Sequence, residues 1–243
     1  MKDLEVLPYV KIYVLNDNHE YDDYLSDWGI ALLIVTPYDT FLFDTGPSAY
    51  TLLFNSEKLG LNINDVKFII ISHDHADHVD GLEGLSWYLN GIEVYIPSHS
   101  DYSLSSWIKK LGYKVVKIDK TTIIARGVAI IGELYGPPWE QALAINVENG
   151  LIVITGCGHA GVENIVKKAV NDLNIKLYSV IGGFHLAGAF EDEIRKIISE
   201  LIALDVKKIY PMHCSGNEIR KILMKNYPEI YGDGHVGLIL EIK

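Results

Sequence analysis

Four short runs of aliphatic and aromatic residues in this chain lead directly into histidines. That recurrence limits the fold more than any other feature. Lys67-Phe68-Ile69-Ile70-Ile71 leads into Ser72-His73-Asp74-His75-Ala76-Asp77-His78, and Leu151-Ile152-Val153-Ile154-Thr155 into Gly156-Cys157-Gly158-His159. Leu177-Tyr178-Ser179-Val180-Ile181 leads into Gly182-Gly183-Phe184-His185, and Lys208-Ile209-Tyr210 into Pro211-Met212-His213-Cys214. Short apolar runs bounded by glycine or polar residues read as buried strands. In layered α/β folds the loops beyond the carboxyl ends of strands converge on ligands. Six of the nine histidines lie in these four loops, so a shared site is expected there.

The first loop is the densest. In extended backbone alternate side chains point the same way, so His73 and His75 can reach one point in space. Asp77 and His78 follow after the chain turns toward a helix and can approach from another side. Imidazole suits zinc, iron or nickel, and a carboxylate can join or bridge two such ions. A polar, incidentally His-rich loop is the bland alternative. His159 is a candidate ligand or a polar residue at a helix start. His213 is a candidate ligand. His185 is a ligand, an acid/base, a substrate contact, or a core histidine satisfied by backbone. Cys157 is a soft ligand or an inert buried thiol. Ser215 and Gly216 either help to hold a phosphate or carboxylate or simply cap a helix. His19, His99 and His235 lie outside the four loops and read as structural or surface residues.

The rest of the chain alternates strand and helix patterns. Val10 to Leu15, Gly29 to Val35 and Thr40 to Phe43 read as strands; Asp44-Thr45-Gly46 closes the third. Asp44 either orients a ligand histidine through a hydrogen bond or caps the next turn. Asn16 to Tyr24 is a polar, aromatic loop that either covers a site mouth or is a solvated acidic loop. Ser48 to Leu59 and Ser100 to Leu111 read as helices. Glu93 to Ile96, Tyr113 to Ile118, Thr122 to Leu134 and Gln141 to Val147 read as strands. This order predicts an α/β layered fold.

Composition narrows the class. The 243 residues suffice for a sizeable core, and 49% hydrophobic with 22% charged residues is ordinary for a globular protein. Apolar runs are too short to span a membrane, and the acidic N-terminus lacks a signal-like apolar stretch. A cytoplasmic protein with no membrane partner is expected. Cys157 and Cys214 are the two cysteines, each near a histidine, which favours a reducing compartment over a disulfide. A net charge of −11 argues against nucleic acid as a partner. It leaves room for a small anionic substrate, because a metal ion supplies local positive charge. Scattered aromatics such as Trp87, Tyr88, Trp107 and Trp139 leave room for a homo-oligomeric interface.

His73-Asp74-His75-Ala76-Asp77-His78 matches the HxHxDH signature of the metallo-β-lactamase superfamily, and the upstream Asp44-Thr45-Gly46 fits it too. The segments Gly156-Cys157-Gly158-His159-Ala160-Gly161, Gly182-Gly183-Phe184-His185-Leu186 and His213-Cys214-Ser215-Gly216 resemble one branch of predicted metal-dependent hydrolases. That branch includes proteins similar to archaeal 7,8-dihydropterin-6-methyl-4-(β-D-ribofuranosyl)aminobenzene-5'-phosphate synthase.

The resemblance spans essentially the whole chain. It implies a single domain over residues 1–243: a four-layer αββα sandwich of two similar halves with a dinuclear site at one edge. It implies that His73, His75 and His159 hold one metal and that Asp77, His78 and His213 hold a second. The expected cofactor is one or two divalent ions, zinc foremost, with iron or manganese compatible. In lactamases and glyoxalase II a histidine precedes the strand that ends in a bridging Asp or Cys. Here no histidine lies between His99 and His159, and that strand ends in Gly156-Cys157.

The expected activity is hydrolysis of an ester, phosphoester or related small molecule. Asp77 would orient the nucleophile, and His185 would transfer a proton or hold substrate. The alternatives are a transferase joining a dihydropterin-methyl pyrophosphate to a ribofuranosylaminobenzene phosphate, and a non-catalytic ligand sensor.

Overall fold

The computed structural model describes residues 3–243. Its strands run in chain order β1 (Val10–Asn16), β2 (Ala31–Val35), β3 (Thr40–Phe43), β4 (Val66–Ile70), β5 (Glu93–Pro97) and β6 (Lys114–Ile118). They continue with β7 (Thr122–Ala125), β8 (Val128–Tyr135), β9 (Trp139–Val147), β10 (Gly150–Thr155), β11 (Leu177–Gly183), β12 (Lys208–Met212) and β13 (Ile239–Ile242). One sheet has the order β13-β1-β2-β3-β4-β5-β6, and the other β12-β11-β10-β9-β8-β7. Thus Thr122 to Leu134 forms two antiparallel strands rather than one.

The central strands are buried on both faces, which is why they read as continuous apolar runs rather than alternating ones. In β4, Phe68 and Ile70 point between the sheets, against Ile152, Ile154, Leu143 and Ile145 of the opposite sheet. Their neighbours Ile69 and Ile71 point outward onto the first helical layer. In β10, Leu151 and Val153 likewise point outward. Each fully buried Ile or Leu contributes about 1.5–3 kcal/mol relative to exposure.

The outer layers are helical. Helices α1 (Ala49–Lys58), α2 (Ala76–Val79), α3 (Gly81–Leu85) and α4 (Tyr102–Lys110) cover the first sheet. Helices α5 (Val162–Leu173), α6 (Glu191–Ala203) and α7 (Gly216–Asn226) cover the second. Val162, Ile165, Val166 and Ala169 form the buried stripe of α5 at one-turn spacing. The result is an αββα sandwich, as expected from the sequence. No helix among the described residues is long and apolar enough to cross a membrane.

Chain direction then positions the site. Strands β3, β4, β5 and β6 are mutually parallel, as are β10, β11 and β12. The carboxyl ends of β3, β4, β10, β11 and β12 therefore deliver Asp44, His73, His159, His185 and His213 to one edge of the sandwich.

Candidate metal centre

Two clusters of side chains meet at that edge. In the first, His73 Nε2 lies 3.1 Å from His75 Nδ1 and 3.3 Å from His159 Nε2. His73 is fully buried behind β4, whereas His75 sits exposed at the start of α2. In the second cluster, Asp77 Oδ2 lies 3.1 Å from His213 Nε2 and 3.6 Å from His78 Nε2. The rings of His73 and His78 are 4.1 Å apart and join the two groups. Within each set the ligand atoms lie within 4.8 Å of one another.

Buried carboxylates and an amide aim the imidazoles. Asp44 Oδ2 pairs with His78 Nδ1 at 2.7 Å and accepts the Ser72 hydroxyl at 2.7 Å, while Oδ1 accepts Ser72 N–H at 2.7 Å. Asp44 has a φ of 55°, in the left-handed region that Asp and Asn tolerate better than most residues. On the opposite side, Asn18 Oδ1 faces His213 Nδ1 at 2.8 Å, and its amide donates to the His213 carbonyl at 2.9 Å. Asp17 Oδ1 accepts His213 N–H at 2.7 Å. In both histidines Nδ1 is occupied and Nε2 faces the cluster, which is the tautomer control a metal ligand needs.

The loop bearing His159 is held by Glu140. Its buried carboxylate accepts N–H groups from Cys157 at 2.9 Å, Gly158 at 2.8 Å and His159 at 2.7 Å. Glycine at 156 is required by packing: a Cβ there would lie 2.0 Å from the Ser72 hydroxyl and 3.0 Å from Asp44.

Charge states favour a cation. Burial drives the His73 imidazole well below its usual range, and neighbouring histidines push it further. Burial, then His185 and His75, take His159 down to about 4. Burial alone would raise Asp77, yet the contact with His213 and the charges of His78 and His213 hold it at about 2. Burial opposes protonation of His78, but Asp44 overrides it and raises that imidazole. Near neutrality His73 and His159 are thus unprotonated in the first cluster, and Asp77 is an ionised carboxylate in the second.

These donors fit a divalent metal. Three ring nitrogens, each a ligand atom of the kind divalent metals take, converge within about a hydrogen-bond length with no carboxylate among them. A cation between them would be coordinated by all three. His213 Nε2 is buried without an aligned hydrogen-bond partner, a further atom that a metal would satisfy.

Most residues singled out in the sequence gather here: His73, His75, Asp77, His78, His159, His213 and Asp44. Cys157 is buried with Sγ 3.3 Å from His78 Nε2, so its thiol faces the second cluster. His185 stands exposed at the rim, its ring 4.4 Å from that of His159.

Ser215 departs from the substrate-contact expectation. It is fully buried, and its hydroxyl accepts Phe184 N–H at 3.0 Å and donates to Gly182 O at 3.2 Å. The hydroxyl is consumed in tying two loops together and does not cap α7. Gly216 serves the backbone: its φ is 77°, and a Cβ would lie 2.9 Å from Ala187 Cα.

Sequence reasoning missed Glu140, Asp17 and Asn18. Glu140 lies one position before the strand read from Gln141 and is buried near the start of β9, a place the sequence pattern did not mark. The Asn16 to Tyr24 loop begins as a strut rather than a lid or a solvated segment, since Asn16 and Asp17 are fully buried.

Comparison with known proteins gives the family and the fold. Residues 31–166 match the family model for the metallo-beta-lactamase superfamily. The chain is 30% identical to 7,8-dihydropterin-6-methyl-4-(beta-D-ribofuranosyl)-aminobenzene-5'-phosphate synthase of Methanocaldococcus jannaschii, with 96% of each chain covered. It is similar to the crystal structure of Tm1679, a metal-dependent hydrolase of the beta-lactamase superfamily. That match has a TM-score of 0.82 and 27% identity, covering 96% of this chain and 99% of the other. Human tRNase Z, short form, shares the fold, with a TM-score of 0.66 and 16% identity over 95% of this chain and 98% of the other. The chain belongs to the metallo-beta-lactamase superfamily.

Proposed function

We propose that the protein is a metal-dependent hydrolase of a small ester, phosphoester or related substrate, with the two clusters as a dinuclear centre. His73, His75 and His159 would hold one ion; Asp77, His78 and His213 would hold the other. The observation that carries this reading is the pairing of three inward ring nitrogens with an adjacent Asp/His/His set at one strand-end edge. When bound, the ions supply Lewis acidity, acidifying water and polarising the oxygen of the bond under attack.

The chain's own groups divide the remaining work. Asp77, ionised within the second cluster, accepts a hydrogen bond from the attacking water and orients it. Asp44 and Asn18 keep His78 and His213 presenting Nε2. His185, exposed at the rim, is placed to deliver a proton to the leaving group; the neighbouring Cys214 thiol raises its pKa, which suits a general acid. Zinc is the expected metal, with iron and manganese compatible with an all-His/Asp shell.

Similarity to the archaeal synthase favours one second reading, a transferase that displaces pyrophosphate from a pterin-methyl donor with an arylamine. The test is turnover by metal-loaded protein on phosphoesters, thioesters and lactones, alongside pyrophosphate release from the paired co-substrates. Hydrolysis abolished by His75→Ala and Asp77→Ala, with folding retained, supports the hydrolase. Pyrophosphate release only with both co-substrates supports the transferase. Full activity in either variant would sink the site assignment.

A further inference from the structure

His99 lies outside the four ligand loops, yet its environment is built. The Glu133 carboxylate, buried in β8, accepts His99 N–H at 3.0 Å with one oxygen and pairs closely with His99 Nδ1 through the other. Trp139 stacks under the imidazole, with centroids 4.6 Å apart and planes at 24°. Tyr135, itself exposed, leans on Trp139 at 5.2 Å. The His99 side chain nevertheless remains 61% exposed, against 2% for that of Glu133. A fold that commits a buried carboxylate to one exposed imidazole fixes that ring in orientation. One face is backed by Trp139, Nδ1 is held, and the outer face and Nε2 are left open.

Two contacts bring this ring to the candidate metal centre. The hairpin joining Tyr135 to Trp139 packs on the His159 loop, where a Cβ at Gly136 would lie 2.3 Å from the His159 carbonyl. The loop after His99 reaches the HxHxDH turn, with Asp101 N–H 3.4 Å from Asp74 Oδ2. The aromatic stack therefore borders the site on the side of His73, His75 and His159.

We propose that the His99–Trp139 stack is a substrate subsite for a planar, nitrogen-bearing aromatic ring, which packs on the outer imidazole face and hydrogen-bonds to Nε2. The proposal rests on the small-molecule reading of the metal centre and specifies its substrate class. Aromatic rings prefer offset stacking on such a platform, and a ring that binds there holds its reactive substituent over the adjacent centre.

Calorimetric titration tests this with 4-aminobenzoate and pterin as planar probes and cyclohexanecarboxylate as a saturated control. It is run on metal-loaded and on chelator-treated protein. The planar probes should bind at least about tenfold more tightly than the control. His99→Ala should abolish that preference without changing metal content, and His99→Phe should restore most of it. Equal binding of planar and saturated rings, or planar binding unchanged in His99→Ala, would overturn the subsite. Because binding is read without turnover, protein that binds the rings but carries no metal or activity would remove the hydrolase reading and leave the subsite standing.

Discussion

Asp44 Oδ2 sits 2.7 Å from His78 Nδ1, and both side chains are fully buried. The pair is reached by a strand end held at positive φ, so the carboxylate is aimed by backbone as well as by packing. Removing its charge while keeping its shape isolates its part in holding the histidine. Asp44→Asn tolerates the same backbone and should weaken metal binding at the second cluster by about 10–100-fold. Separate titration of the two sites checks this: the first, whose His73 meets Asp44 only through the Ser72 hydroxyl, should change less.

Asn18 does on the other side what Asp44 does here. Asn18→Ala frees the His213 ring and its carbonyl and should lower second-site affinity by about tenfold or more. Circular dichroism should show the fold intact, and metal analysis should show the second ion selectively depleted.

Glu140 supports the His159 loop rather than touching either cluster. Its carboxylate receives three N–H groups, and Gln at that position offers one oxygen and two unmatched donors. Glu140→Gln should cost about 1–3 kcal/mol, a melting shift of about 2–10 °C for a chain of this size. Thermal unfolding of metal-free protein measures it without interference from ligation.

Acid should strip the two sites in order. A ligand histidine must be unprotonated to bind metal. His159 and His73 already are at pH well below neutrality, so the first site gains little from alkaline conditions through them. His78 is shifted upward and must give up a proton, so second-site affinity falls as pH is lowered. Dialysis from about pH 8 to about pH 5 should release the second-site ion first. Metal content along the series reads the order.

Asp17 gives the opposite pH signature in stability. Burial raises its carboxyl from 3.8 to about 6, opposed by the His213 N–H and Arg220. Its favourable contribution is complete below pH 3.8 and is lost as pH rises through 6. In chelated protein, Asp17→Asn should therefore raise the melting temperature at about pH 8 and leave it unchanged at about pH 3.5. Paired melts at the two pH values decide it.

The layered fold and much of the centre were legible because their cues are local. His73 to His78 concentrates three histidines and two aspartates in six residues, and each later loop announces itself by glycine or proline close to histidine. Asp44 was half-legible: its strand-end position was visible, but capping explained it equally well until His78 was found against it. Asn18 was illegible because its partner, His213, is 195 positions away and a polar loop asparagine has many uses. Ser215 misled for a related reason. A serine beside glycine at a helix start suggests anion binding, and only the packing shows its hydroxyl spent on Phe184 and Gly182. His99, set aside for lying outside the ligand loops, owes its interest to Glu133 and Trp139, residues on two other strands.

Metal stoichiometry tests the central claim most directly. Protein purified without chelators or a histidine tag should carry about two divalent ions per chain by mass spectrometry, falling to about one in Asp77→Ala. A ratio near zero that stays there after zinc, iron or manganese is supplied would contradict the account.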